Sequence, residues 1–425
     1  MKKISIATLA IALVLLSGCN KDNELSDSID IELGNTTEMQ LIKLGGSTGA
    51  SSVKTRAAIE SLDEMRADDR MGIFCLAGRK TDVKSAQTAA LPNWGNAVLP
   101  PDDPNYAKST NGRYWSNVCC GVEYDGEDGK FRISPVAGQD YYRYYPITSL
   151  YGYDFYGYYP YQAEGIVYDE KYVTVDIAID GDDDVIYGKS EQIDTCTWFK
   201  EYAGTALGNT LAQSYYSARF FRKHPLMYDD AHMKFEHKLA RFRFFVYPGP
   251  DKEFADSITY DGAQNLCVNG IKLCQQPTNL RLTVAHKTDA TRNGALAKAN
   301  EKLSDFSIRH KGGAPLSDAP VAIVTKKVAG VVVPDTVQVG DCIMFLPGGN
   351  SHIMALDLID KNTGEIYPSE VNTTISFKES TGKKFEAGKT YNVYLQVSGI
   401  KDVTITAELA DWEESGEDMD LIEFN

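Results

Sequence analysis

The sequence predicts an all-β chain of two tandem β-sandwich domains with few short helices, and three observations carry that expectation. The first is composition: 25 Tyr and 16 Phe against 4 Trp, with 35 Gly and 16 Pro, a mixture that suits pleated strands and the turns between them. The second is alternation. Val173, Val175, Ile177 and Ile179 alternate with Thr174, Asp176 and Ala178, and Arg241-Phe242-Arg243-Phe244-Phe245-Val246 carries charge on its outer side, the period of a half-buried strand. The third is how weak the helical period is, with two turns at residues 59–65 and three at residues 211–221. A length of 425 residues fits two domains, and a hydrophobic fraction of 43% excludes disorder of the whole chain. No repeat of 20–50 residues is visible, which argues against a solenoid or propeller.

Taken in order, the chain begins with an export signal. Lys2 and Lys3 precede an apolar stretch over residues 4–16, too short to span a bilayer, which takes about 20 residues. It ends in Leu16-Ser17-Gly18-Cys19, followed by polar Asn20-Lys21-Asp22. This resembles a bacterial lipobox, in which the Cys thiol is acylated after cleavage, so residues 1–18 read as a lipoprotein signal peptide. Residues 19–56 read as a tether carrying one strand: Ile29-Asp30-Ile31-Glu32-Leu33 alternates strictly, whereas Gly45-Gly46-Ser47-Thr48-Gly49-Ala50-Ser51-Ser52 has linker composition with little to bury. Lys54-Thr55-Arg56-Ala57-Ala58 follows. Arg56 reads there either as a solvated loop residue or as the target of a trypsin-like protease.

Strands are expected at Gly72-Ile73-Phe74-Cys75-Leu76-Ala77-Gly78, around Cys342-Ile343-Met344-Phe345-Leu346, and over residues 353–358, 391–397 and 403–409. The break between domains is placed near residues 225–240, giving sandwiches at 57–230 and 231–425. A net charge of −16 argues against nucleic acid, because phosphate needs a basic face.

Chemistry-bearing motifs are missing. There is no phosphate-binding loop, dinucleotide turn, nucleophile elbow or zinc helix, so no enzyme activity, cofactor or metal is expected. His232 and His237 lie five apart, on opposite sides of a strand. Cys267 and Cys274 either bridge a hairpin or stay free. Asp180-Gly181-Asp182-Asp183-Asp184 could chelate Ca²⁺, but an acidic hairpin tip is the simpler reading. Residues 141–161 hold ten Tyr. These are half-buried strand residues, or else Tyr156, Tyr158 and Tyr159 form an exposed aromatic face for glycan or protein.

Several of these segments together resemble the fimbrillin family, the type V pilins of Bacteroidales. The lipobox comes first, then Thr55-Arg56-Ala57. Asp154-Phe155-Tyr156-Gly157-Tyr158-Tyr159-Pro160 resembles the family's "F-Y-A-Y-Y-P" strand, and Asp184-Val185-Ile186-Tyr187-Gly188 its "D-[IL]-[LM]-x-[AG]" step. Met233-Lys234-Phe235-Glu236-His237-Lys238-Leu239-Ala240-Arg241-Phe242 is similar to "F-K-H-x-L-A-K-[VF]". Gly388-Lys389-Thr390-Tyr391, with Ala407-Glu408-Leu409-Ala410-Asp411-Trp412, resembles the closing "G-K-x-Y … I-x-x-W" pattern.

The resemblance implies two transthyretin-like domains, exported as an outer-membrane lipoprotein precursor acylated on Cys19. It implies an Arg-specific protease cutting between Arg56 and Ala57, with Arg66 and Arg70 as competing sites. Subunits then join by strand exchange into adhesive surface fimbriae. The expected donor strand, entering a neighbouring subunit, is Met419, Leu421, Ile422 and Phe424. In the precursor the strand of Ile29, Ile31 and Leu33 is expected to fill the groove that the donor later takes. The tail Glu413-Glu414-Ser415-Gly416-Glu417-Asp418 is more acidic than the family's donor strands, which leaves tip, anchor and non-polymerising glycan-binding roles as alternatives to a shaft subunit.

Overall fold

The structure is a computed structural model and describes residues 42–48, 69–80, 117–124, 130–136, 151–169, 171–190, 216, 231–250, 259–286, 289–368, 373–377, 382–411 and 421–422. The first nine strands are β1 (Leu44–Thr48), β2 (Met71–Lys80), β3 (Val118–Tyr124), β4 (Lys130–Pro135), β5 (Tyr151–Tyr159), β6 (Ile166–Tyr168), β7 (Tyr172–Ala178), β8 (Ile186–Ser190) and β9 (Ala231–His237). After β10 (Ala240–Pro248) and the short helix α1 (Asp261–Gln264) come β11 (Leu266–Pro277), β12 (Asn279–His286), β13 (Leu296–Lys298), β14 (Leu303–Ser307), β15 (Val321–Ala322), β16 (Val324–Val328) and β17 (Val331–Asp335). The last are β18 (Val337–Phe345), β19 (Ser351–Asp360), β20 (Ile366–Pro368), β21 (Thr373–Ser376), β22 (Lys389–Gly399), β23 (Asp402–Asp411) and β24 (Leu421–Ile422). The chain is all-β, as composition and alternation predict. The strands expected from residue 72 onward are β2, β7, β10, β18, β19, β22 and β23. The helical turns expected at residues 59–65 and 211–221 lie outside the described residues, as does the strand expected at residues 29–33.

Seven strands close a barrel in the order β1-β4-β3-β2-β5-β8-β9. Every seam is antiparallel except β9–β1, which is parallel. An odd number of strands cannot close with all seams antiparallel, so one parallel seam is required. Here it falls at β1.

The remaining strands form a sheet β18-β10-β22-β23-β24, a second sheet β14-β11-β19-β20 with β15 and β21 attached, a third, β13-β12-β7-β6, and a two-stranded ribbon of β16 and β17. In the third sheet β7 pairs with β12, so strands from before residue 230 and after it share one ladder. A contiguous core accordingly runs from Phe74 and Tyr158 through Val175 and Leu282 to Phe242 and Val393. Its densest part is aromatic: Phe242 stacks on Phe345 at 4.4 Å, and Phe385 and Tyr391 meet edge-on at 4.9 Å.

Two local expectations are corrected and one open choice is resolved. Gly45, Gly46, Ser47 and Thr48 are not a linker but most of β1; the strand is held by its backbone ladder, which linker composition does not forbid. Asp180 to Asp184 are not a hairpin tip, because β7 and β8 belong to different sheets and this stretch carries the chain between them. Cys267 and Cys274 lie on one strand, β11, and both are free thiols.

His352 sits among Phe345, Phe385 and Phe242, with ring centroids at 4.5, 5.0 and 5.7 Å. Its Nε2 is buried without a hydrogen-bond partner, and burial pushes the imidazole down to about 4. The folded chain therefore holds this ring neutral over a range in which the unfolded chain binds a proton, near pH 6.5 and below. Its stabilising contribution is complete above about pH 6.5 and is lost as pH falls toward 4. Urea unfolding across that range should show a loss of about 2–4 kcal/mol in the wild type that His352→Phe does not share.

Candidate functional site

The barrel seam at β1 is the candidate site. β1 lies between two strands, antiparallel to β4 from Leu44 opposite Ile133 to Ser47 opposite Lys130. It runs parallel to β9 from Leu44 beside Ala231 to Thr48 beside Phe235. Leu44, Ile133, Ala231, Met233 and Phe235 are buried on the inner side. On the outer side Ser47 Oγ lies 2.9 Å from His232 Nε2, and Arg132 and Lys234 are exposed. Leu44 is the one large apolar side chain that β1 buries, a contribution of about 1.5–3 kcal/mol. Ladder hydrogen bonds on both edges supply the rest of the hold.

The inner wall beside the slot depends on two glycines. Gly157 of β5 stands opposite Gly188 of β8, and Gly188 opposite Phe235 of β9. A Cβ at Gly188 would come within 2.6 Å of Phe235 Cδ1, and one at Gly157 within 2.9 Å of Phe235 Cε1. The ring thus lies across bare backbone, and β9 keeps its place beside β1.

The segments read separately in the sequence meet at the end of β9. His237 Nδ1–H donates to Asp184 Oδ2 at 2.5 Å, and Asp184 Oδ1 accepts the Val185 N–H at 2.7 Å. The Asp184 side chain is fully buried, so these bonds replace the water it has lost. Lys238 N–H donates to Val185 O and Gly388 N–H to Leu239 O. Two residues later Arg241, also buried, donates from Nε to Thr390 Oγ1 at 2.7 Å. Asp184, His237 and Gly388 stand in three separate segments of the sequence, and only the fold brings them together at the end of β9. Asp184 and Gly388 each open one of the motifs quoted above and His237 lies inside another, which is the signal the sequence offers.

The remaining expected site residues fall as follows. Tyr156, Tyr158 and Tyr159 are buried, which corrects the expectation of an exposed aromatic face. Tyr156 and Tyr158 join the core that the barrel shares with β7 and β12. Tyr158 donates from its hydroxyl to Asn117 Oδ1 at 2.7 Å, and Tyr187 to Val284 O at 2.8 Å. Burial raises the Tyr158 phenol above its ordinary range. In the acidic stretch Asp182 pairs with Arg309 at 3.0 Å and burial lifts its carboxyl to about 6. No cluster of three or more His, Cys, Asp or Glu able to hold a metal occurs among the described residues. Leu421 and Ile422 form β24, paired with Glu408 and Ala407 of β23. Cys19, Arg56, Ala57, Arg66, Met419 and Phe424 lie outside the described residues. Arg70 is placed: its carbonyl accepts the Tyr161 N–H at 2.9 Å, directly before buried Met71 of β2.

No family model and no curated protein matches the chain. Among solved structures it is similar to a candidate cell adhesion protein from Bacteroides uniformis, at 15% identity and a TM-score of 0.43 over 88% of this chain and 99% of that one. It is similar to another from Bacteroides ovatus at 14% identity and a TM-score of 0.37, over 90% and 100%. It is also similar to the fimbrial anchor protein of Porphyromonas gingivalis at 10% identity and a TM-score of 0.29, over 91% and 100%. Likeness at this level carries no argument about function.

The contact between Phe235 and its glycines can be tested directly. Gly188→Ala should lower stability by about 1–3 kcal/mol through overpacking, read as a fall in the urea midpoint. Phe235→Leu in the same chain should recover part of that loss, because the two changes share one contact.

Proposed function

We propose that this chain is a subunit of an adhesive surface fimbria, exported as a lipoprotein precursor and assembled by strand exchange after an Arg-directed cut. The observation that carries the reading is the position of β1. It closes the barrel from both sides, and it lies upstream of Arg56 in the sequence. A cut between Arg56 and Ala57 detaches β1 from the rest of the chain, together with acylated Cys19. Departure of β1 uncovers the inner side of the slot and leaves unpaired N–H and C=O groups on β4 and β9. Such open edges seek another strand, and β-strand addition is the economical way to satisfy them. The order of fimbrillin-like segments along the sequence supports the same reading.

A cut at Arg70 fits less well, since the Arg70 carbonyl is engaged and β2 begins at the next residue. The donor is the segment of Met419, Leu421, Ile422 and Phe424 from a second copy or a related subunit. To serve, Leu421 and Ile422 must first leave β23, which they meet over only two residues. A glycan-binding role through Tyr156, Tyr158 and Tyr159 is not favoured, because none of the three offers its ring to solvent. No catalytic role, cofactor or metal is proposed. The partners are other fimbrial subunits, an Arg-specific protease and, before processing, the lipid of the outer membrane.

Treating the purified precursor with an Arg-specific protease should give a new N-terminus at Ala57 and a ladder of SDS-stable oligomers in unboiled samples. Arg56→Ala should keep the chain monomeric under the same treatment. A wild-type chain that loses residues 1–56 and remains a monomer at high concentration overturns the reading.

A further inference from the structure

The ribbon of β16 and β17 grows more exposed and more apolar toward its turn. At its base Val324, Val333, Pro334 and Asp335 are half-buried. At its tip Val328, Val331 and Val332 are 52%, 63% and 42% exposed. The run Val328-Ala329-Gly330-Val331-Val332-Val333 carries no polar side chain, although turns favour Gly, Pro, Asn, Asp and Ser. The turn itself adds a cost. Ala329 and Gly330 lie at φ +48° and +85°, as a two-residue hairpin turn of this hand requires. Asn or Gly would hold the first position with less strain. An apolar side chain stands there despite that strain.

Strand addition does not explain this tip. In such a hairpin the pair flanking the turn, here Val328 and Val331, exchanges hydrogen bonds. Alternation then makes Thr325 and Pro334 a non-bonded pair, so the Pro334 nitrogen points away from β16. The outer edge of β17 therefore lacks a donor at that point, and β16 carries Lys326 and Lys327. Both devices oppose edge pairing. A protein partner is poorly served as well. A stable interface takes about 800 Å² and roughly 20 residues from each side, whereas the tip is a single turn with its flanking valines.

A second apolar turn lies at the same end of the five-stranded sheet. β18 leaves the ribbon with Val337 opposite Val246 of β10, and β22 passes Pro248 of β10 at Val397 before the turn at Ile400. Ile400 is 41% exposed. Lys401 beside it is exposed, as are Lys326 and Lys327 behind the first tip; Lys326 pairs with Asp335 at 2.9 Å. Two separate apolar points, each backed by an exposed lysine, match a plane with an oily interior and phosphate at its surface. Lysine stems lie along apolar surface while their heads stay in water. We propose that this end of the molecule dips Val328, Val331, Val332 and Ile400 into the headgroup boundary of a phospholipid bilayer. Penetration is shallow, because the open backbone groups of the turns find no partner in hydrocarbon. The contact is separate from acylation at Cys19 and does not depend on strand exchange.

Amide hydrogen exchange on the full-length chain, with and without vesicles, tests the proposal. One set of vesicles is phosphatidylcholine alone, and the other is phosphatidylcholine and phosphatidylglycerol in equal parts. Whatever else brings the chain to a vesicle, exchange at residues 327–333 and 399–401 reads these two turns. Both should slow by about tenfold on the mixed vesicles. Val331→Asp with Val332→Asp should abolish the slowing, because carboxylates are costly to bury. Ala329→Asn should slow exchange in the ribbon without vesicles, by easing the turn, and should shrink the slowing that vesicles add. Lys327→Glu should remove the preference for mixed vesicles, about fivefold for each lysine near the surface. Protection of β10 and β22 in every variant reports that the fold is intact. Unchanged exchange at both turns on either vesicle overturns the proposal, and so does slowing that survives both aspartates. Slowing that appears without vesicles and grows with protein concentration also overturns it, and assigns the tips to a second copy of the chain. A chain trimmed at Arg56 that does not assemble leaves this contact standing, so the two readings fail separately.

Discussion

The rest of the molecule depends on a gap one strand wide. β4 and β9 face each other across the place of β1, two interstrand spacings apart, roughly 9–10 Å. Neither can satisfy its inward-facing amides and carbonyls on the other at that separation. Something extended must lie between them, because buried backbone groups without partners are rare in folded proteins. β1 meets that need with hydrogen bonds to both neighbours and with little side-chain bulk. Backbone pairing therefore closes the barrel, and apolar burial plays the smaller part in holding the closing strand.

A second constraint fixes how the barrel joins the rest of the chain. The chain leaves β7 for the barrel through residues 179–185 and leaves the barrel for β10 through Lys238 and Leu239. These crossings are tied to each other by the bond between His237 and Asp184 and by Lys238 N–H on Val185 O. Gly388 and Thr390 bind the same region from β22 and the turn before it. β9 is thus anchored at its far end by buried polar groups, while its middle borders the slot. The residues that make this joint lie outside the ladder between β9 and β1.

Much of the fold was legible from residue periodicity. β7 and β10 show their inner faces in the spacing of Val173, Val175 and Ile177 and of Phe242 and Phe244. β1 was not legible, because its glycines and serine carry no pattern and its strand character comes from two neighbours distant in sequence. The tyrosines of β5 were readable as strand residues but not as buried ones. What covers Tyr158 and Tyr187 includes β12, more than ninety residues further along the chain than either. The tie between Asp184 and His237 was hidden for the same reason: each residue is visible in its own segment, and only the antiparallel register of β8 with β9 brings them together. The neutral state of His352 follows from three aromatic neighbours, Phe242, Phe345 and Phe385, that no local pattern announces.

The direction of β1 has a mechanical consequence. It lies alongside β9 in parallel register and its ladder runs the full length of the strand. A pull along its axis strains all of those hydrogen bonds together, as in sliding two rulers past each other, rather than opening them one after another like a zip. Any strand seated on that course meets tension in its most resistant geometry. A filament joined through such seats would carry flow or traction along its length while its individual links stay non-covalent.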